Sequence, residues 1–243
     1  MLKFSALCPT RKRPDNMSRL AQSFFEMSEH PEENEIVFYI DNDDTESITK
    51  AQELQTQYNI QYIVGERIVL SEMWNECYKI CKGEYLFHCG DDIVMKTPNW
   101  DNIVENKFLE FNDKIAFVYG DDLNPAMPDD FGTHGFLHRN WVDTVGYFVP
   151  PYFSSDYNDT WLNEVSKSIG RHYKVNIVTD HLHPGIGKAT WDQTHKDRLI
   201  RHRSDNVEGI YQSKQSERQE DCLKLLNFIE QFSNKGAIIA HED

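Results

Sequence analysis

G-E-Y-L-F-H-C-G-D-D-I-V, residues 83–94, is a short apolar run that stops on two adjacent aspartates. Tyr85–Cys89 has the length and continuous apolar character of a strand buried on both faces, and Asp91–Asp92 falls just beyond its carboxyl end. The residues before it, Leu70 to Lys82, keep a helical period. Further upstream, Lys3–Cys8 reads as a strand and Pro9–Pro14 as a loop. Asp15 then N-caps a helix whose apolar face is Met17, Leu20, Ala21 and Phe24. Ile36–Ile40 is a second strand, Thr45–Tyr58 a helix and Ile60–Val64 a third strand. Downstream come a helix over about 101–111 and a strand, Ile115–Tyr119, closing on Asp121–Asp122. This alternation predicts an α/β fold with a mostly parallel central sheet flanked by crossover helices.

The regularity breaks over residues 121–157, rich in aromatic, Pro and Gly residues, where irregular site-forming structure is expected. A helix over Asp159–Ile169, a strand over Val175–Thr179 and a terminal helix over Ser216–Asn234 follow. The last carries Cys222, Leu225, Leu226, Ile229 and Phe232 on one stripe. We read residues 1–243 as one domain, with a nucleotide-binding half (1–122) fused to an acceptor-binding half (123–243) that ends in the C-terminal helix.

With 39% apolar residues the 243-residue chain can bury a sizeable core, and no stretch reaches the roughly 18–20 apolar residues of a membrane span. No membrane insertion is expected, and the location expected is the cytoplasm, or the host cytoplasm for a phage-encoded protein. Cys8, Cys77, Cys81, Cys89 and Cys222 have neither zinc-ligand nor disulfide-framework spacing. A net charge of −15 argues against broad affinity for nucleic acid or anionic membranes. Two local basic runs, T-R-K-R (Thr10–Arg13) and K-D-R-L-I-R-H-R (Lys196–Arg203), read most simply as solvated faces.

Ligands of open parallel sheets bind beyond the carboxyl ends of the strands, and three predicted strands end in acidic clusters: Asp41–Asp44, Asp91–Asp92 and Asp121–Asp122. Adjacent carboxylates repel unless a cation or proton intervenes, so convergence of such pairs invites a hard divalent ion. Each pair taken alone could instead open a turn or cap a helix.

The 83–94 segment, preceded by W-N-E-C-Y-K-I-C-K (Trp74–Lys82), resembles the surroundings of the DXD motif in family 2 and related glycosyltransferases of GT-A fold. C-P-T-R-K-R-P (Cys8–Pro14) and F-Y-I-D-N-D-D (Phe38–Asp44) look like the same family's first two nucleotide-contacting strand ends, and the resemblance covers roughly residues 1–200. It departs at Gly90, which makes the motif G-D-D and leaves one carboxylate fewer for a metal.

The resemblance implies a GT-A, Rossmann-like domain that moves a sugar from a nucleoside-diphosphate sugar, UDP-sugar by default, using Mn2+ or Mg2+. It makes Asp92 the direct metal ligand and Asp91 a ribose partner or outer contact to the metal. Asp41 would accept from base or ribose, Pro9, Thr10 and Arg11 would line the nucleotide, and Arg67 would reach base or diphosphate. A further metal ligand in similar enzymes is a C-terminal His. D-H-L-H-P-G-I-G-K (Asp180–Lys188) offers His181 and His183, of which His183, beside the loop-forming Pro–Gly, is preferred. Imidazole suits manganese better than magnesium. Lys188 would neutralise the diphosphate as a point charge.

Inverting members carry a catalytic carboxylate at the start of a helix, which F-S-S-D-Y-N-D-T-W-L-N-E-V (Phe153–Val165) resembles. Asp159 matches best and Asp156 second, while Asp159 also suits an ordinary N-cap. Thr133–Trp141 and Gly146–Phe153 are expected to shape the sugar and acceptor pocket, with Trp141, Tyr147, Tyr152 and Trp161 as stacking candidates. The size suits a bacterial or phage-type enzyme, and the hydroxyl acceptor is either a saccharide or glycan or a hydroxymethylated DNA base. Two rival classes are a metal-dependent nucleotidyltransferase, disfavoured by a first loop without Gly, and a non-catalytic nucleotide- or sugar-binding module.

Overall fold

A computed structural model describes residues 1–239, with side chains through residue 232. The last residues of the expected domain, 240–243, and the side chains of Ser233 and Asn234 lie outside the described residues.

The strands are β1 (Phe4–Thr10), β2 (Asn34–Asp41), β3 (Ile60–Gly65), β4 (Tyr85–His88), β5 (Ile93–Met95), β6 (Phe117–Asp121), β7 (Gly135–His138) and β8 (His172–His181), forming one sheet of order β3-β2-β1-β4-β7-β6-β8-β5. The helices are α1 (Pro14–Glu26), α2 (Thr45–Leu54), α3 (Leu70–Ile80), α4 (Trp100–Leu109), α5 (Arg139–Val145), α6 (Asn158–Ser168), α7 (Gln193–Ser204), α8 (Val207–Ser213) and α9 (Gln215–Ile239). Among the described residues no helix is long and apolar enough to cross a membrane.

The first four strands in space, β3 to β4, are parallel, as their apolar runs predict. The pleat divides their side chains between two cores. Ala6, Cys8, Phe38 and Phe87 pack with α1 and α4 residues such as Phe24 and Trp100. Leu7, Val37, Tyr39 and Leu86 pack with Trp74 of α3, Trp141 of α5, Trp161 of α6 and Leu225 of α9. Both faces are therefore dry, which is why the central runs of β1 and β2 are continuous apolar stretches instead of alternating.

Residues 121–157, expected to be irregular, hold β7 and α5. β7 is wedged antiparallel between β4 and β6, and its Phe136 ring stacks on Phe87 at 4.2 Å. Gly135 permits this close approach, because a Cβ there would lie 2.5 Å from the Phe117 ring. Four residues are too few for periodicity to reveal such a strand. At α1 the N-cap is Arg13 and not Asp15, because Pro14 takes the first helical position and leaves Asp15 inside the first turn.

Candidate functional site

Strand direction brings the site together. β1, β2 and β4 end at one sheet edge, while β7 runs the opposite way, so Thr133 and His134, just before its start, arrive at that same edge. β8 is parallel to β6, itself antiparallel to β7, and so delivers His181 there as well. β5 then pairs antiparallel with β8 and sets Ile93 opposite His181. Leu182 N–H donates to the Asp92 carbonyl at 2.7 Å. Asp92 and His181 are thus held face to face by main-chain register.

One atom each from Asp92, His134 and His181 lie within 4.8 Å of one another, a geometry able to hold a metal ion. His181 Nε2 is 3.4 Å from Asp92 Oδ2. Burial pushes the Asp92 carboxyl up, but the His181 hydrogen bond and the charges of His181 and Arg13 outweigh it and hold the group well below the usual carboxylate range. Burial drives the His134 imidazole far below its ordinary value, so it is neutral with one nitrogen lone pair free to ligate. Both His134 nitrogens and His181 Nδ1 are buried without a hydrogen-bond partner among the described residues. Two imidazoles and a carboxylate form an acceptable donor set for a divalent transition ion, and the residues fit the metal that the resemblance implies. His183 stands beside this group, its ring 5.2 Å from that of His181, with Nδ1 accepting from Gly185 N–H at 3.0 Å. Sequence reasoning placed His134 in a pocket-shaping stretch without marking it as a ligand.

Gly90 is part of the same construction. A Cβ at this position would lie 2.7 Å from Asp92 Oδ1, so the residue that breaks the DXD pattern is also the one that gives the Asp92 carboxylate its room. Asp91 faces elsewhere: it accepts from Thr10 Oγ1 (2.7 Å), Arg13 Nη1 (3.0 Å) and Asn16 Nδ2 (3.2 Å). Its oxygens are committed to fixing the β1–α1 loop. Arg13 continues the network to Asp192 (2.7 Å) and His195 (2.7 Å) at the start of α7.

These groups line a cavity of about 1090 Å³, shared by Pro9, Thr10, Arg11, Asp41, Arg67, Asp91, Asp92, Asp156, Asp159, His181 and His183 of the sequence-derived candidates. At its β2 end Asp41 Oδ2 pairs with Arg11 at 2.6 Å, with Arg67 Nε 4.0 Å away, while Oδ1 is buried without a partner among the described residues. At the α6 end Asp159 is the second helical residue, the N-cap being Tyr157, and its Oδ1 accepts from Thr160 N–H at 2.8 Å. Burial raises its carboxyl to about 6. Asp156 is fully engaged, Oδ1 by Arg198 Nε at 2.9 Å and Oδ2 by His202 Nδ1 at 2.6 Å.

Several expectations change. Lys188 does not line the cavity; its ammonium pairs with Asp180 at 2.6 Å and the Leu123 carbonyl at 3.0 Å. Asp121 and Asp122 do turn work, accepting from Leu123 and Asn124 N–H, and Asp122 also holds Thr133 Oγ1. Trp141, Tyr147, Tyr152 and Trp161 stay in the second core, whereas Trp74, Phe131 and Tyr157 line the cavity. The 196–203 run is not simply a solvated face, since Arg198, Arg201 and His202 line the cavity from α7. Their spacing along α7 was the available signal.

The sheet order, the carboxyl-edge cavity and the strand ends together define the GT-A fold. Solved structures with this backbone include TarS of S. aureus, residues 1–349, in complex with UDP (TM-score 0.58, 12% identity, covering 84% of this chain and 72% of that one). The mannosyltransferase PcManGT from Pyrobaculum calidifontis, in complex with GDP-Man and Mn2+, is also similar (TM-score 0.60, 12% identity, 97% and 75% covered). Against a longer TarS structure the chain covers 43% of that protein's length (TM-score 0.58, 12% identity, 83% of this chain). No protein-family profile and no curated sequence matches the chain.

Proposed function

We propose that the protein transfers a glycosyl unit, with inversion, from a nucleoside-diphosphate sugar to a hydroxyl acceptor, UDP-sugars being the first donors to test. The observation that carries this reading is that the Asp92–His134–His181 cluster, a buried, half-satisfied Asp41 and the perturbed carboxyl of Asp159 all line one cavity. Similar backbones bind UDP, UDP-GlcNAc and GDP-Man with Mn2+.

Asp41 Oδ1 would accept a base or ribose N–H or O–H, with Arg11 and Arg67 supplying positive charge and Pro9 and Thr10 forming the wall. Asp92, His181 and His134 would hold a divalent ion, Mn2+ in preference to Mg2+, which when bound supplies charge neutralisation for the departing diphosphate. Asp91 and Arg13 hold the loop that shapes this end. Asp159, with one oxygen uncommitted, takes the proton of the acceptor hydroxyl as the hydroxyl oxygen bonds to the anomeric carbon and the bond to the diphosphate breaks. Asp156 is better suited to anchoring α7. In this reading residues 1–122 form the nucleotide-sugar half and 123–243 the acceptor half, with His134 and His181 contributed by the latter.

Incubation with a panel of nucleotide sugars, with and without Mn2+, tests the reading by product. Released nucleoside diphosphate with a new glycoside supports it. Pyrophosphate release would mean a nucleotidyltransferase, and binding without turnover a recognition module. Offering oligosaccharides and hydroxymethylated DNA as acceptors separates the two acceptor classes.

A further inference from the structure

His88, on β4 two residues before Gly90, has no part in the chemistry above, yet it is an expensive residue to keep. It is 4% exposed and lines the cavity, and neither ring nitrogen makes a fully formed hydrogen bond among the described residues, the Thr133 backbone offering it only a weak one. Its neighbours explain its position but not its polarity. The Trp74 ring lies 4.3 Å away, itself pinned by hydrogen bonds from Nε1 to the carbonyls of Leu7 and Cys89, and Phe148 stands at 6.2 Å. A leucine or phenylalanine would suit these surroundings without burying a polar ring that the Thr133 backbone satisfies only in part. On its open side His88 faces His134, ring to ring at 6.5 Å. Ser155, also in the cavity wall and 4% exposed, adds a hydroxyl without a partner among the described residues.

We propose that His88 is a specificity-determining residue that binds a hydroxyl of the donor's sugar, with the Trp74 face and Ser155 completing the subsite. This rests on the nucleotide-sugar reading above. Burial holds the His88 imidazole down at about 3, so the ring is neutral and offers one donor and one acceptor. That pair matches a hydroxyl or amide and gives no charge attraction to a phosphate. Aromatic surface beside a few neutral polar atoms is the chemistry that takes the apolar face and hydroxyls of a sugar. The ring faces His134 of the candidate metal cluster, where a donor's diphosphate would sit, and the donor's sugar is covalently attached to that diphosphate.

The test compares wild type, His88→Leu and His88→Gln by calorimetry in the presence of Mn2+, titrating UDP, GDP, UDP-GlcNAc, UDP-glucose and GDP-mannose, together with thermal unfolding of the free protein. Expected is unchanged nucleoside-diphosphate affinity in His88→Leu, and about tenfold weaker binding of whichever nucleotide sugar the wild type prefers. His88→Gln should restore part of that loss, and free His88→Leu should melt higher than wild type. Equal affinity for nucleotide sugars in all three proteins, or weaker acceptor binding with donor binding intact, would overturn the assignment. A lower melting temperature in His88→Leu would also overturn it, by making His88 a packing residue. Absence of any nucleotide binding by wild type would instead sink the underlying nucleotide-sugar reading.

Discussion

Replacing Asp159 by Asn removes a charge from the cavity while keeping shape and one acceptor oxygen, and its burial together with its proposed role implies two opposite consequences. The first is on stability. Burial, with Asp156 nearby and only partial relief from the Thr160 N–H and Arg198, raises the Asp159 carboxyl from 3.8 to about 6. Folding therefore disfavours its ionisation. The penalty is absent below the unfolded value of 3.8, grows as pH rises towards 6, and is complete above it. A shift from 3.8 to about 6 sets an upper limit of roughly 3 kcal/mol, of which screening by solvent in the cavity leaves about 1–2 kcal/mol. Asp159→Asn should thus match wild type in thermal stability at pH 3.5 and exceed it at pH 7.5.

The second consequence is on turnover. General-base assistance contributes about 10²–10⁴-fold, so the variant should lose two to four orders of magnitude in kcat with nucleotide-sugar affinity retained. In wild type, kcat/KM should rise with pH along a limb near pH 6, and the residual activity of the Asn variant should lack that limb. The assay is diphosphate release measured in parallel with unfolding at the two pH values. Asp159 would be an ordinary first-turn carboxylate if the variant were less stable at pH 7.5 yet fully active.

Other substitutions probe the remaining parts of the site. Gly90→Ala, whose Cβ would press on Asp92 Oδ1 at 2.7 Å, should weaken Mn2+ binding in calorimetry about tenfold while leaving the melting temperature within a few degrees. Wild type should bind Mn2+ more tightly than Mg2+, and His134→Ala should narrow that preference, because it removes a nitrogen ligand that favours the transition ion. Asp156→Ala breaks the ion pair to Arg198 and the hydrogen bond to His202 and should expose α7 to limited proteolysis within residues 190–205 before the rest of the chain is cut.

The sequence read well where burial was uniform. β1, β2 and β4 are buried on both faces, so that even in the short β4 an apolar run means a strand, and the helices between them keep a 3.6 period. β5 and β7, of three and four residues, carry no periodicity, and their pairing is decided by partners distant in the chain. The same difference separates the site residues that could be found from those that could not. Asp41, Asp91 and Asp92 stand at the ends of recognisable strands. His134 precedes a strand too short to see, and Arg198 and His202 lie on a helix whose apolar residues Leu199 and Ile200 point partly into solvent.

That division bears on how the metal cluster is built. The Asp pair first read as one motif separates into two functions, because successive residues at a strand end point different ways: Asp91 turns to Thr10, Arg13 and Asn16, and Asp92 to His181. With Gly at 90 no earlier carboxylate is available, and in the proposed site the missing donor would come by chain reversal, β7 bringing His134 in antiparallel and β8 bringing His181 in parallel. Exchanging a carboxylate for imidazoles lowers the negative charge of the donor set and softens it. The departure from DXD and the expected preference for Mn2+ over Mg2+ are therefore one feature, and a variant that restored a carboxylate at position 90 would have to displace Asp92 to do so.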